Sequence, residues 1–270
     1  MLGIFIWTTV NQNATADIKG GSARISFLDV GQGDSALINL PNSKQILIDT
    51  GEFSAVTQKI ASKMPSFDRE IEIVFLTHPD SDHVGGFEAV ASGYKIDMVY
   101  LNTEKGDTKT FERIKDKIDK ERIPYRVAYA GEDIYLGESL TKVLWPDENA
   151  TLSENNLSLV LLFQIKESRA LFTGDIEIEG QNRLLYSGQN EELKADIYKI
   201  PHHGSAGALN ENFLRAVGAK LAVVSVGKNS YGHPSKIVLD ALLGLGMKIF
   251  RTDELGTVDF ISSESGWMKE

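Results

Sequence analysis

Ile71-Glu72-Ile73-Val74-Phe75-Leu76-Thr77-His78-Pro79-Asp80-Ser81-Asp82-His83-Val84-Gly85-Gly86 is the stretch from which the fold is read. Its apolar first half predicts a buried strand. The strand ends in a tight loop that offers His78, Asp80, Asp82 and His83 within six residues. Neutral imidazole is the commonest side-chain ligand for divalent metals, and carboxylates add harder oxygen donors. Neighbouring side chains in such a loop can diverge toward adjacent ions, while Gly85 and Gly86 remove bulk just behind them. An aspartate pair alone would be a solvated turn; histidines at both ends turn the reading to metal.

The other three histidines repeat this setting. His202 and His203 stand in Lys199-Ile200-Pro201-His202-His203-Gly204-Ser205, and His233 in Asn229-Ser230-Tyr231-Gly232-His233-Pro234. Clusters of His and Asp in segments of this kind mark metal or catalytic sites. Leu171-Phe172-Thr173-Gly174-Asp175 carries another strand to a carboxylate. Alone it reads as a turn, but beside the other motifs Asp175 becomes a candidate bridge between two ions. Two divalent ions carry four positive charges; Asp80, Asp82 and Asp175 supply three negative ones, so one bound hydroxide neutralises the cluster and is the nucleophile a two-metal hydrolase needs. Gly31-Gln32-Gly33-Asp34 lacks the lysine and following helix of a phosphate-binding loop, and is read as a turn beside the metal site.

Composition frames the chemistry. The 270-residue chain is 42% hydrophobic and 24% charged, as soluble globular chains are, and long enough for a substantial core. It has no cysteine, so any metal must use nitrogen and oxygen. A formal net charge of −10 argues against a general basic surface for gripping nucleic acid, though not against a local patch or a metal cluster that receives one phosphate. Residues 1–22 form an apolar leader: Leu2 to Val10 is far shorter than the roughly 20 residues of a spanning helix. Ala14-Thr15-Ala16 resembles a secretory cleavage site without a preceding basic residue. A signal or membrane-anchor remnant is the favoured reading, placing the chain outside the cytoplasm or at a membrane; an unstructured leader is the alternative.

From Ala23 strands come first, then strands and helices alternate. Strands are expected at 23–30, 35–40, 45–49, 71–76, 98–101, 125–128, 158–165, 169–172, 195–200, 221–226, 248–251 and 257–261, with hairpins at 41–44 and between 165 and 169. Helices are expected at 54–63, 84–92, 108–121, 209–217 and 234–244. No linker divides residues 23–270. Sheets with helices on their outer faces accommodate this order, an α/β class.

The chain resembles the metallo-β-lactamase superfamily, and specifically the hydrolase domain of the ComEC family of competence proteins. The matching segments are Phe27-Leu28-Asp29-Val30-Gly31-Gln32-Gly33-Asp34, Ile46-Leu47-Ile48-Asp49-Thr50-Gly51, the histidine loop at 78–86, Asn155-Asn156-Leu157-Ser158-Leu159-Val160-Leu161, Phe172-Thr173-Gly174-Asp175, Pro201-His202-His203-Gly204-Ser205, Gly232-His233-Pro234 and Arg251-Thr252-Asp253. Each is weak alone, but the ordered set is specific.

The resemblance implies an αββα sandwich with a dinuclear site at one edge of the paired sheets. It implies that His78 and Asp80 serve one ion, Asp82 and His83 the other, that Asp175 bridges them, and that Asp49 orients a ligand from behind; Asp34 is assigned the same supporting position. Asp80 stands where the superfamily commonly has histidine, and this oxygen donor favours manganese over zinc. The histidine usual between the loop and the bridging aspartate is missing; Asn155 or Asn156 occupies that stretch, as weak ligand, substrate contact or strand cap, and Asn156 is taken as a substrate contact. His202 is read as the late metal ligand with His203 turned toward substrate, the reverse remaining open because adjacent side chains leaving a strand part. His233 is read as a contact to leaving group or phosphate, or as the late ligand. Ser205 and Lys228 are oxyanion candidates or plain loop residues.

The function expected is a metal-dependent phosphodiesterase or nuclease using two divalent ions, manganese or zinc, and no organic cofactor. DNA is the leading substrate by resemblance, with a single strand favoured because its backbone bends into an edge site more easily than a stiff duplex, and a membrane channel on a separate chain is the candidate partner. The alternatives are a small or surface phosphoester of the phosphorylcholine kind, another ester or lactone, or an idle metal-binding module docked on a membrane partner.

Overall fold

The computed structural model describes residues 21–104, 106, 108–188 and 191–270; nearly all of the leader read at 1–22 lies outside the described residues. Strands buried on both faces, which is why they read as continuous apolar runs, build two sheets. The chain first lays down β1 (Arg24–Phe27), β2 (Ala36–Asn39), β3 (Gln45–Ile48), β4 (Glu70–Leu76), β5 (Lys95–Leu101) and β6 (Tyr125–Val127). It crosses to the second sheet for β7 (Asp133–Leu136), β8 (Ser139–Trp145), β9 (Val160–Ile165), β10 (Ser168–Phe172), β11 (Ile197–Lys199), β12 (Leu221–Val224) and β13 (Lys248–Arg251). It then returns to the first with β14 (Val258–Ser263) and β15 (Gly266–Lys269). The orders are β15-β14-β1-β2-β3-β4-β5-β6 and β13-β12-β11-β10-β9-β8-β7. Within them β3 to β6 and β10 to β13 run parallel, and the other pairs are antiparallel.

Period-two alternation sorts the side chains into three apolar layers. Ile38, Ile48, Ile73 and Phe75 of the first sheet meet Leu161, Phe163, Phe172 and Val223 of the second in the central layer. Leu37, Leu47, Val74 and Val99 face outward against α1 (Val56–Ala61), α3 (Phe87–Gly93) and α4 (Lys109–Glu121). Leu162, Leu171, Tyr198 and Val224 face outward against α5 (Ile178–Tyr186), α6 (Glu211–Val217) and α7 (Lys236–Gly244). The result is an αββα sandwich. Two single turns complete it, α2 (Ser81–Val84) and α8 (Thr252–Leu255).

Some elements differ from the sequence expectation. The histidine loop is partly helical, because Asp82 and His83 lie in α2, and the helix expected at 84–92 is α3, separated from α2 by Gly85 and Gly86. A Cβ on Gly86 would lie 2.4 Å from the Thr50 carbonyl oxygen, so only glycine lets the chain pass β3 at this point. The β7–β8 hairpin, α5, α8 and β15 were not expected; β7 is half exposed and carries charge, and α5 holds Gly180 within its first turn. Among the described residues no helix is long and apolar enough to cross a membrane.

Candidate metal centre

The ends of β3, β4, β10, β11 and β12 open on one edge of the sandwich, the end at which open α/β sheets bind ligands. Asp49 follows β3 directly with a left-handed φ of 57°. It accepts hydrogen bonds from the Thr77 backbone N–H (2.8 Å) and hydroxyl (2.7 Å), and its Oδ2 stands 2.8 Å from His83 Nδ1. The carboxylate thereby fixes the ring so that His83 Nε2 faces inward. At the end of β10 a Cβ on Gly174 would lie 2.8 Å from Ser158 Cβ and 2.9 Å from Thr77 Oγ1. Glycine lets the two sheets close there and brings Asp175 beside the β4 histidines.

After β11 the chain turns through three successive left-handed residues, His202 (49°), His203 (52°) and Gly204 (81°). Non-glycine residues in this region are strained and persist where surrounding structure holds them, commonly at functional sites. The turn parts the two rings. His203 is buried; its Nδ1 donates to the Ser225 carbonyl at 2.9 Å, which leaves Nε2 facing Asp82 Oδ2 at 3.0 Å and Asp175 Oδ2 at 3.5 Å. His202 stands at the rim, with Nδ1 3.3 Å from Glu177 Oε1 and Nε2 3.9 Å from Asp175 Oδ2.

Asp175 is the centre of the arrangement. Its oxygens lie 3.2 Å from His83 Nε2, 3.5 Å from His203 Nε2, 3.9 Å from His202 Nε2 and 4.0 Å from His78 Nε2. Asp80 Oδ2 is 3.6 Å from His78 Nε2. Buried polar atoms normally find partners; yet His78 Nε2, His83 Nε2 and Asp175 Oδ1 are buried without a hydrogen bond. Donor atoms that converge without bonding one another are what divalent ions at metal–ligand distances of about 2.0–2.2 Å require. Donor atoms of Asp34, His83, Asp175 and His203 all lie within 4.8 Å of one another. The residues fit a divalent-metal centre of nitrogen and oxygen donors.

The charges of the cluster hold one another in place. Burial opposes the charged ring of His83, but Asp175, Asp34 and Asp49 outweigh it and raise its pKa well above the ordinary value. Burial likewise opposes a charged His203, yet Asp175 and the hydrogen bonds that the ring donates to Asp34 and Asp82 push it from 6.5 to about 9. Asp175 is held well below the usual carboxylate range because His83 and His203 overcome its burial. In the metal-free chain the imidazolium protons thus supply the positive charge that a bound cation would supply, and metal uptake would release them. A stability change with pH follows. His203 binds its proton more tightly folded than unfolded, so its contribution is complete below pH 6.5 and is lost as pH rises through about 9. Melting of chelator-treated protein is expected to show Tm falling across that window, while metal-loaded protein holds its Tm; a flat or rising Tm in the metal-free sample contradicts this electrostatic picture.

The structure brings His78, Asp80, Asp82, His83, Asp175, His202 and His203 together, with both rings of the last pair within 4.0 Å of Asp175. His203, expected to turn toward substrate, is instead the buried ring aimed into the cluster, while His202 lies nearer the opening and keeps its Nε2 3.9 Å from Asp175, within reach of an ion there. Asn156 is not placed to touch substrate. Its carboxamide oxygen accepts from the Glu177 and Gly180 N–H groups (3.2 and 2.8 Å), and its amide donates to Ser153 Oγ at 2.9 Å, so it caps the start of α5. Ser205 accepts from Gly207 N–H at 3.3 Å and serves its own turn. Lys228 is exposed beside the opening loop and forms no ion pair among the described residues. The His233 ring centroid lies 5.7 Å from that of His202. Asp34 stands behind the cluster: Oδ1 faces His203 Nδ1 at 3.3 Å, and Oδ2 pairs with Lys199.

Sequence reasoning missed Lys199 and Glu177. Lys199 is 3% exposed, its Nζ paired with Asp34, bonded to the Gly174 carbonyl at 3.2 Å and 3.8 Å from Asp175 Oδ1. A lysine on the last position of a buried strand was the available signal, since lysine is almost never fully buried unless paired.

A sandwich of this topology with a His/Asp cluster at its strand ends defines a metal-dependent hydrolase fold. The sequence profile of the metallo-β-lactamase superfamily matches residues 28–228, and the chain belongs to that superfamily. ComE operon protein 3 of Bacillus subtilis (strain 168) is 28% identical over 254 residues, covering 87% of this chain and 32% of that protein. Competence protein ComA of Neisseria gonorrhoeae is 30% identical over 247 residues, covering 90% and 33%. The chain spans about a third of the length of these relatives. Among solved structures, the metallo-beta-lactamase fold protein YhfI from Bacillus subtilis superposes with a TM-score of 0.62 over 90% of this chain and 100% of that chain, at 13% identity. Tm1679, a metal-dependent hydrolase of the beta-lactamase superfamily, gives 0.52 over 86% and 96%, at 15% identity. At these identities the likeness concerns the fold.

Proposed function

We propose that the chain is a two-metal phosphodiesterase that degrades single-stranded DNA. The observation that carries the reading is Asp175, a buried carboxylate within 4.0 Å of four imidazoles, flanked by two further aspartates of the histidine loop. In this reading His78, Asp80 and His202 would hold one ion, Asp82, His83 and His203 the other, with Asp175 between them. Bound divalent ions supply Lewis acidity toward phosphoryl oxygens and acidify water. The protein's own part is orientation. Asp49 and Ser225 fix the tautomers of His83 and His203, and Asp34 with Lys199 backs His203 from behind. His233 stands on the open side, where its imidazole can meet the departing oxygen. Support for DNA comes from the relatives named for competence and from "Recombination protein 2" of Haemophilus influenzae, 26% identical over 81% of this chain.

A single strand bends into an edge site more easily than a duplex. With a net charge of −10, binding should depend on metal and a few local contacts rather than on a basic surface. Purified protein with manganese is expected to degrade labelled single strands, and His83→Ala to abolish the cleavage. Hydrolysis of a chromogenic phosphodiester with no cleavage of DNA transfers the reading to a small or surface phosphoester. Inertness toward both leaves a metal-binding module.

A further inference from the structure

We infer that Tyr231 is a stacking platform for the base beside the scissile phosphate, with Lys228 of the same loop meeting a neighbouring phosphate, so that the site selects nucleotides over headgroup esters. The inference rests on the phosphodiesterase reading above and names what confers its substrate class.

Tyr231 is 74% exposed, and its ring lies 5.8 Å from the His233 ring, tilted by 30° to it. His233 lies in turn 5.7 Å from the His202 ring, whose Nε2 is 3.9 Å from Asp175. Two ring-to-ring steps therefore separate the exposed aromatic face from the metal centre.

A lone exposed aromatic residue needs no explanation; one held rigidly at the mouth of a reaction centre does. Asn229 holds the loop with both ends of its carboxamide. Its oxygen accepts from the Tyr231 and His233 N–H groups, both at 3.1 Å, and its amide donates to the Gly227 (2.9 Å) and His233 (2.8 Å) carbonyls. Gly227 presses so closely on the preceding loop that a Cβ there would meet Gln32 N at 2.3 Å. Gly33 of that loop likewise abuts the Asp82 carbonyl, where a Cβ would lie at 2.1 Å. The tyrosine is thus tied through two glycine contacts to a residue of the cluster itself, and the backbone that carries it needs no ordering when substrate arrives.

Single-strand binders join exposed aromatic faces to nearby cations, because every base offers a π-face while the backbone offers charge. Lys228 is exposed, lacks an ion pair among the described residues and precedes Tyr231 by three positions. A quaternary ammonium headgroup calls for a cage of several aromatic rings; the loop itself offers a single exposed aromatic face, that of Tyr231.

The experiment compares KM for a labelled DNA single strand and for an abasic strand of equal length, using metal-loaded wild type, Tyr231→Leu and Tyr231→Phe. Wild type is expected to favour the base-bearing strand by roughly 5- to 150-fold, the range of one base–aromatic stack. Tyr231→Leu should collapse that ratio toward one, and Tyr231→Phe should keep most of it. Equal KM values for the two strands in wild type, or a ratio unchanged by Tyr231→Leu, overturns the platform while leaving the phosphodiesterase intact. Cleavage of neither strand beside turnover of a phosphorylcholine ester overturns the platform together with the DNA reading.

Discussion

Asp175→Ala protein is expected to retain less metal than wild type and to lose hydrolysis by more than about 100-fold. Residues that only support a ligand already cost about 10–100-fold in metal affinity or activity when removed. Asp175 is placed more centrally than any of these. Its two oxygens face His83 and His78 on separate edges, together with both rings of the 202–203 pair. Removing it opens a gap between the two proposed ion positions and leaves His83 and His203 without their main counter-charge. Metal content and turnover should therefore fall together. Full occupancy by two ions in Asp175→Ala would sink the bridging assignment.

Lys199→Met is expected to destabilise the chain by about 3–5 kcal/mol, the usual cost of removing one partner of a buried ion pair. Asp34 is 6% exposed and has Lys199 as its nearest cation, so methionine removes the largest counter-charge of that carboxylate and leaves it only the rings of His83 and His203 in a low-dielectric pocket. At about 2–4 °C per kcal/mol for chains near this size, the drop in Tm is on the order of 10 °C. The double variant Lys199→Met/Asp34→Asn should regain much of it, because neither charge remains. A single variant that melts with wild type, or a double variant no better than the single, refutes the pairing as a source of stability.

How much of this was legible in the sequence depended on what each residue had to do. Strands such as β4 and β10 are largely buried and announce themselves as apolar runs bounded by turns, and the ligand types stand just beyond their ends. The hairpin β7–β8 was hidden because β7 is an edge strand that alternates with charge and resembles a loop, and because Thr141 and Lys142 interrupt the apolar run of β8. The direction of adjacent rings was not legible either. It depends on His202 and His203 both adopting positive φ, which no propensity of histidine suggests and which the Gly174 and Gly204 contacts impose from elsewhere in the fold. Asn156 misled for a related reason: its place in the motif order suggested substrate, whereas α5, a helix absent from the sequence reading, takes its carboxamide as a cap. Lys199 was masked by its strand, since its significance lies in Asp34, which is distant in sequence and adjacent in space.

The central claim is that hydrolysis belongs to a pair of ions held around Asp175. The most direct measurement is metal content by mass spectrometry and single-strand cleavage on the same samples, as manganese is added back to chelated protein. Cleavage should rise with metal content and saturate at two ions per chain, with manganese supporting faster turnover than zinc at matched occupancy because Asp80 makes the donor set harder. Full cleavage in the chelated sample, or saturation of both content and turnover at one ion, would contradict the account.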